Sequence, residues 1–270
     1  MLPRVLSIAG SDSGGGAGIQ ADVKTVTALG GYAATVITAL TAQNTLGVTG
    51  VFAVDADFVS EQLRAVLDDV GADAIKTGML FSARIIRRVA AELESRATSV
   101  PVVVDPVMVA KGGARLLEED ATRALIERLV PLAALVTPNI PEAEVLTGLR
   151  VRGVDDLPRL ADALLTLGPS AVLVKGGHLE GDEIVDLLRT ADGAEHRFTG
   201  PRIHTRSTHG TGCTLSSAIA TGLAEGLTLE SSVARARRYV QRALETAPGI
   251  GSGHGPLNHV WPITDAQGAG

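Results

Sequence analysis

Short apolar runs alternate with helix-patterned stretches along nearly the whole chain, and few folds accommodate that alternation. The runs fall at residues 5–9, 34–40, 74–79, 101–105, 134–137 and 171–174. They are too short for buried helices and several are rich in the β-branched residues that suit strands. Between them lie stretches such as Val59, Leu63, Val66, Leu67 and Val70, whose spacing is that of one helix face. Strands joined through helices lie parallel, because the helix returns the chain across the sheet, and the crossover is right-handed. The expected class is therefore α/β, a mainly parallel central sheet flanked by helices on both faces. No fixed-period repeat and no linker interrupts the pattern, so residues 1–270 read as a single domain. Helices are expected from Ile19 to Leu29, Ser82 to Arg96, Glu118 to Leu129, Asp155 to Leu167 and Leu229 to Leu244. Further strands are expected over 184–188 and 196–199, and frayed chain from Asp265.

Such a sheet gathers ligands at the carboxyl ends of its strands, and the residues found there are chemically pointed. Gln43 follows the second run, and its amide can read the edge of a heteroaromatic ring. Asp105 ends PVVVD, where a carboxylate suits metal-linked chemistry or a plain loop cap. Asn139 and Glu142 follow the run at 134–137. Their spacing suits either an oxygen-rich Mg²⁺ site or a helix capping box. Lys175 follows 171–174, placed to hold a nucleotide phosphate as a point charge. MVAKGGAR at 108–115 is a basic, glycine-paired loop, read either as a lid over phosphate or as an ordinary mobile loop.

Two glycine loops complete the picture. SDSGGGAG after the first run lacks the Lys-Ser/Thr of a P-loop, and Gly14-x-Gly16 has isoleucine at position 19 where a dinucleotide fold needs glycine. That loop is read as a tight strand-to-helix connection, with Ser11, Asp12 or Ser13 as cap, or as a ligand contact. Asp22, on the helix after it, fits either a solvated acid or one facing a pocket. In HTRSTHGTGCTLSSAIA, from His204 to Ala220, Gly210 and Gly212 allow a tight turn and Thr211 to Thr214 begin a helix. A helix start offers unpaired N–H groups and partial positive charge to an anion. Cys213, the chain's single cysteine, lies in that turn, where a lowered thiol pKa would make it a proton acceptor.

Composition narrows the function classes. Net charge is −6 without a long basic run, which excludes a phosphate-tracking nucleic-acid surface. One cysteine excludes an internal disulfide and fits a reducing cytoplasm. The N-terminal MLPRVLSIAG lacks the pattern of an export signal. No charged residue occurs from Thr25 to Val54, a stretch long enough to span a bilayer by length alone. Glycines, threonines and Gln43-Asn44 mark that stretch as buried helix, strand and loop and not as a membrane span.

The ordered set IAGSDSGGGAGIQADVKT, TALTAQNT, KTGML, VVVDPVM, TPNIPEA, VKGGH and HGTGCT resembles the hydroxymethylpyrimidine/phosphomethylpyrimidine kinases of thiamin biosynthesis. These belong to the ribokinase-like superfamily, whose members are three-layer sandwiches. The resemblance covers nearly the whole chain. It implies ATP- and Mg²⁺-dependent phosphorylation of 4-amino-5-hydroxymethyl-2-methylpyrimidine and then of its monophosphate, by a cytoplasmic homodimer. By motif it implies a pyrimidine pocket lined by Gly10, Asp22, Gln43, Met79 and Val107. It assigns Asp105, Asn139, Glu142, Lys175 and Thr208 to the nucleotide, with Asp105 and Glu142 toward the metal. The resemblance also implies that Gly210, Thr211, Gly212 and Cys213 form the anion hole, with Cys213 as base. A pyridoxal kinase of the same superfamily and a non-catalytic pyrimidine-binding protein are the alternatives.

Overall fold

A computed structural model of the chain describes residues 2–108 and 119–268. Of the basic loop at 108–115, read either as a lid or as an ordinary mobile loop, residues 109–115 lie outside the described residues. Nine strands form one sheet: β1 (Arg4–Asp12), β2 (Tyr32–Asn44), β3 (Gly47–Ala53), β4 (Ala74–Thr77), β5 (Val102–Val104), β6 (Leu135–Val136), β7 (Ala171–Val174), β8 (Glu183–Thr190) and β9 (Glu195–Pro201). Their order is β3-β2-β1-β4-β5-β6-β7-β8-β9. From β2 across to β7 every pairing is parallel, whereas β3, β8 and β9 join antiparallel at the two edges. Expected and observed sheets agree on the parallel centre.

The helices are α1 (Gly18–Ala28), α2 (Ala56–Ala65), α3 (Ala83–Arg96), α4 (Glu119–Ala124), α5 (Ile140–Thr147), α6 (Leu157–Leu165), α7 (Thr211–Ala224), α8 (Leu229–Glu245) and α9 (Trp261–Gly268). They form two outer layers, each filled by one side of the pleat. Leu6, Ile8, Ile75, Val104 and Val136 pack against Leu63 of α2, Ile86 of α3, Ala143 of α5 and Leu160 of α6. The alternate residues Val5, Ala74, Val103 and Leu135 pack against Val26 of α1, Ile219 of α7 and Val233 of α8. This period of two with both faces covered explains why the central runs contain little but apolar residues. It makes the molecule an α/β/α sandwich.

Local chemistry sets the element ends. Ser82 accepts from Ile85 N–H at 3.3 Å and starts α3 as expected. Asn139 and Glu142 form a reciprocal capping box on α5. The hairpin between β8 and β9 turns at Gly193, whose φ is 95°. Three differences from the sequence reading stand out. β2 runs on through Gln43, which lies inside the strand at a register shift beside Ala42 and not beyond its end. β3 was not among the expected strands. The chain from Asp265 is not frayed as far as Gly268 but belongs to α9, anchored where Trp261 Nε1–H donates to Tyr239 O at 3.2 Å. Among the described residues no helix is long and apolar enough to cross a membrane.

Candidate active site

The carboxyl ends of β1, β4, β5, β6 and β7 and the N-terminus of α7 enclose one cleft of about 850 Å³, including its solvent-open part. Gly210 opens α7 in the left-handed region at φ 84°. A Cβ there would stand 1.8 Å from the carbonyl oxygen of Gly16. Only glycine lets this loop press against the β1–α1 loop. Thr211 Oγ1 donates to Thr208 O at 2.7 Å, and the first intrahelical bond is Thr214 N–H to Gly210 O at 2.9 Å. The N–H groups of Gly212 and Cys213 precede that bond, so they have no acceptor within the helix and remain available to an anion.

Facing this loop is a compact charged cluster. Lys175 Nζ lies 3.0 Å from Asp105 Oδ1, and Thr137 Oγ1 donates to the same oxygen at 3.2 Å. Burial opposes the Lys175 ammonium, yet Asp105 and Glu142 outweigh it and hold its pKa above the ordinary value. Glu142 is 8% exposed. Burial and the neighbouring Asp105 push its carboxyl up to about 7, with Lys175 acting the other way. Two buried carboxyl groups share one lysine, a donor set of hard oxygens that a divalent cation with bound phosphate would relieve. Among the described residues no group of three His, Cys, Asp or Glu side chains makes a metal cage. Lys175, Asp105, Asn139 and Glu142 all line the cleft, as the sequence suggested.

Gly10, Gln43, Met79 and Val107 also line the cleft. A Cβ at Gly10 would lie 2.3 Å from Met79 Cε, so the methionine tip packs directly on this glycine. Two sequence assignments do not reach the cleft. Asp22 is fully buried, taken up by Lys76, whose Nζ lies 2.9 Å from both carboxylate oxygens. Ser7 Oγ–H at 2.5 Å and Ser217 Oγ–H at 2.6 Å complete its shell. Asp22 is therefore packed behind the pocket. Thr208 is also absent from the lining, and its carbonyl braces the turn from behind.

The structure adds a pair that sequence reasoning left undecided or missed. Asp12 is not a simple helix cap. Its carboxylate accepts from the N–H groups of Gly14, Gly16 and Ala17 at 2.8, 3.0 and 2.8 Å and stands 2.8 Å from His209 Nε2. Burial resists this charge, but His209 and the loop N–H groups overcome it and keep the Asp12 carboxyl below its ordinary pKa. His209 Nε2 is also 3.2 Å from Gln43 Nε2. With its Nε2 proton given to Asp12, this histidine ties the β1–α1 loop to the phosphate loop and stands beside the pocket glutamine. The only hints in the sequence were an aspartate before SGGG and a histidine before GTGC.

Cys213 lines the cleft and receives the Gly18 N–H from the start of α1. The expected lowering of its pKa is not found. Burial pushes the thiol up to about 11, with Lys76 opposing that rise and Asp22 and Asp105 adding to it. Desolvation of a thiolate outweighs one helix terminus.

Residues 12–258 match the family model described as phosphomethylpyrimidine kinase. The chain belongs to this family. A hydroxymethylpyrimidine/phosphomethylpyrimidine kinase from Streptomyces coelicolor is 49% identical over 261 residues, covering 97% of this chain and 96% of the relative. The thiamine biosynthesis bifunctional protein ThiED of Geobacter sulfurreducens is 55% identical over 264 residues. There the match takes in 97% of this chain but only 53% of the relative, so the chain spans about half of that longer protein. Among solved structures, phosphomethylpyrimidine kinase from Clostridium difficile 630 superposes with a TM-score of 0.80 at 43% identity, over 89% of this chain and 99% of that one. An ADP complex of Bacillus subtilis pyridoxal kinase gives 0.88 at 34% identity, over 96% and 98%. Fold and family are thus those of a ribokinase-like phosphotransferase.

Proposed function

We propose that this chain transfers the γ-phosphoryl group of ATP to the hydroxymethyl oxygen of 4-amino-5-hydroxymethyl-2-methylpyrimidine, and then to the phosphate of the product, for thiamin biosynthesis. The observation that carries the reading is the convergence, on one cleft, of a glycine-cradled helix start with a Lys175–Asp105–Glu142 cluster and the Gly10–Gln43–Met79 wall. Gln43 offers donor and acceptor to the ring edge, and Met79 and Val107 offer it apolar surface. Lys175 holds nucleotide phosphate, with Asn139 beside it. A divalent cation bound with the nucleotide, Mg²⁺ in this reading, would neutralise phosphate charge, and Asp105 and Glu142 are the residues that would hold it. The N–H groups of Gly212 and Cys213 stabilise charge on the transferring group, and positioning supplies most of the acceleration. Cys213 takes the hydroxyl proton in the first reaction. In the second the acceptor phosphate is already ionised and needs no base.

The decisive assay is ADP release with Mg-ATP, comparing the hydroxymethylpyrimidine, its monophosphate, pyridoxal and no acceptor. Turnover on both pyrimidines supports the two-step reading. The closer superposition on a pyridoxal kinase gives pyridoxal phosphorylation its standing as the second reading, and preference for pyridoxal would move the assignment there. Tight pyrimidine binding with no ADP release would leave a binding protein. The chain is further proposed to act as a cytoplasmic homodimer without nucleic-acid or membrane partners. Supporting this is the apolar surface near the sheet edge, where Leu40 (45% exposed) pairs with Phe52 (71%) and Leu46 (73%) stands at the turn. Light scattering that gave a monomer mass would refute the dimer.

A further inference from the structure

We propose that His259 is a positioning residue for phosphoryl transfer: it holds the Thr214 hydroxyl behind the anion-binding turn and so fixes the aim of the Gly212 and Cys213 N–H groups, on the reading that these receive the transferring phosphoryl group. A helix start is ordinarily steadied by an N-cap side chain that takes one of its free N–H groups. The N-cap of α7 is Gly210, which has no side chain to do so, and a cap would compete with the anion for those groups. The turn is held from behind instead. Thr214, whose N–H closes it on Gly210 O at 2.9 Å, has no solvent exposure, and its Oγ1 lies 3.0 Å from His259 Nε2. At the other end of the turn the His209 N–H donates to Gly255 O at 3.0 Å. One short segment, 255–259, therefore grips the chain just before Gly210 and just after Cys213.

That segment is itself anchored on α8. Asn258 N–H donates to Ala243 O at 3.0 Å, and Tyr239 Oη–H donates to His259 O at 2.6 Å, so the backbone that carries the ring is fixed on a long helix. The ring is buried, and burial with Lys24 holds its pKa down to about 4; it is neutral near pH 7, and the contact with Thr214 is a hydrogen bond between uncharged groups. Stability alone does not call for it. Apolar residues of matching shape at both positions would be nearly as stable as a buried hydrogen-bonded pair. What the bond adds is direction. Hydroxyl and ring meet at one distance and one angle, and groups that act on a reacting centre lose about 100-fold in rate for a displacement of about 1 Å.

The test uses His259→Leu, Thr214→Val, the double variant H259L/T214V and His259→Gln, whose amide can reach the hydroxyl as the ring does. In the ADP-release assay each of the first two is expected to lower kcat and kcat/KM together by about tenfold or more, the scale on which orienting partners act at reactive centres, with KM for ATP nearly constant. That pattern marks an interaction felt in the transition state. Both pyrimidine acceptors should suffer alike, because one turn serves both transfers, whereas loss of a base touches only the first. The double variant is expected to lose no more than the slower single one, since both remove the same bond, and His259→Gln to keep most of the rate. Thermal unfolding verifies each fold; if His259→Leu fails to fold, Thr214→Val, which puts a methyl in place of the hydroxyl, carries the test. A merely structural contact would lower the melting temperature and leave kcat of the folded variants unchanged, which would overturn the proposal. Multiplied losses in the double variant, or a His259→Gln as slow as His259→Leu, would overturn it too. Amide hydrogen exchange reads the turn without turnover: the Thr214 N–H should exchange about tenfold faster in both single variants, and an unchanged rate would also refute the positioning role. If the parent protein phosphorylates neither pyrimidine, the function reading fails, and exchange still decides whether His259 holds the turn.

Discussion

The raised proton affinity of Cys213 makes a quantitative demand on the first reaction. A thiol at about 11 is ionised in roughly one molecule in 3000 at pH 7.5, the ratio set by the distance between pH and pKa. If the thiolate takes the substrate proton, kcat/KM for the hydroxymethylpyrimidine should rise about tenfold per pH unit and gain roughly 300-fold between pH 7.5 and 10, because kcat/KM reports the free enzyme. Lys175 stays charged through this range, since Asp105 and Glu142 hold its pKa above the ordinary lysine value. Lys76 stays charged with it, because Asp22 and the surrounding negative groups outweigh its burial. The monophosphate acceptor carries its own negative charge, so its profile should be nearly flat over the same interval. The assay is initial-rate ADP release under kcat/KM conditions in overlapping buffers, with Cys213→Ala run beside the parent protein. That variant should lose the slope and much of the rate with the alcohol while retaining most of the second reaction and its affinity for ATP. Parallel profiles for the two acceptors, or a flat profile for the alcohol with full activity in Cys213→Ala, would refute the proton-acceptor role.

Other perturbations follow from the same geometry. Gly210→Ala adds about 1–2 kcal/mol of left-handed backbone strain and a Cβ 1.8 Å from Gly16 O; kcat/KM should fall by about 100-fold or more, the scale of a lost oxyanion donor, and retention of activity would show that the loop is free to move. Lys175→Met leaves Asp105 buried without its 3.0 Å partner, so unfolding free energy should drop by about 3–5 kcal/mol and KM for ATP should rise; an unchanged KM would remove the phosphate-holding role. Asp105→Ala should weaken turnover at limiting Mg²⁺ more than at saturation, whereas an unaltered Mg²⁺ dependence would count against metal contact. His259 is 3% exposed and its pKa is pushed down to about 4 by burial and by Lys24. A base depressed on folding contributes stability above its unfolded value of about 6.5 that disappears as pH falls through the folded one; urea titrations should show roughly 3 kcal/mol lost between pH 6.5 and 4, and less in His259→Gln.

What the sequence disclosed about this site, and what it concealed, divides along a physical line. Lys175, Asp105 and Asn139 were legible because a buried parallel strand is a local pattern and its carboxyl end is where ligands meet the sheet. Gly210 was legible because a left-handed turn before a helix leaves a glycine in the text. The Asp12–His209 bond joins residues 197 positions apart, and no local spacing reports which loop a histidine will face. Asp22 was legible as an acid on the right helix but not in its orientation. A helix presents residues to cleft and core alike, and the deciding partner, Lys76, lies 54 positions away on another strand. Cys213 carries the sharpest lesson. Its helix start was evident from glycine and threonine alone, and that feature by itself predicts an acidic thiol. The opposing force is enclosure by the cleft and by α1, a property of the assembled walls that exceeds the helix effect and reverses the sign. Wherever a reactive group lies at the meeting of several elements, its identity and backbone setting are written locally. Its proton affinity is set by burial and by charges, here those of Lys76, Asp22 and Asp105, that only the tertiary fold brings to it.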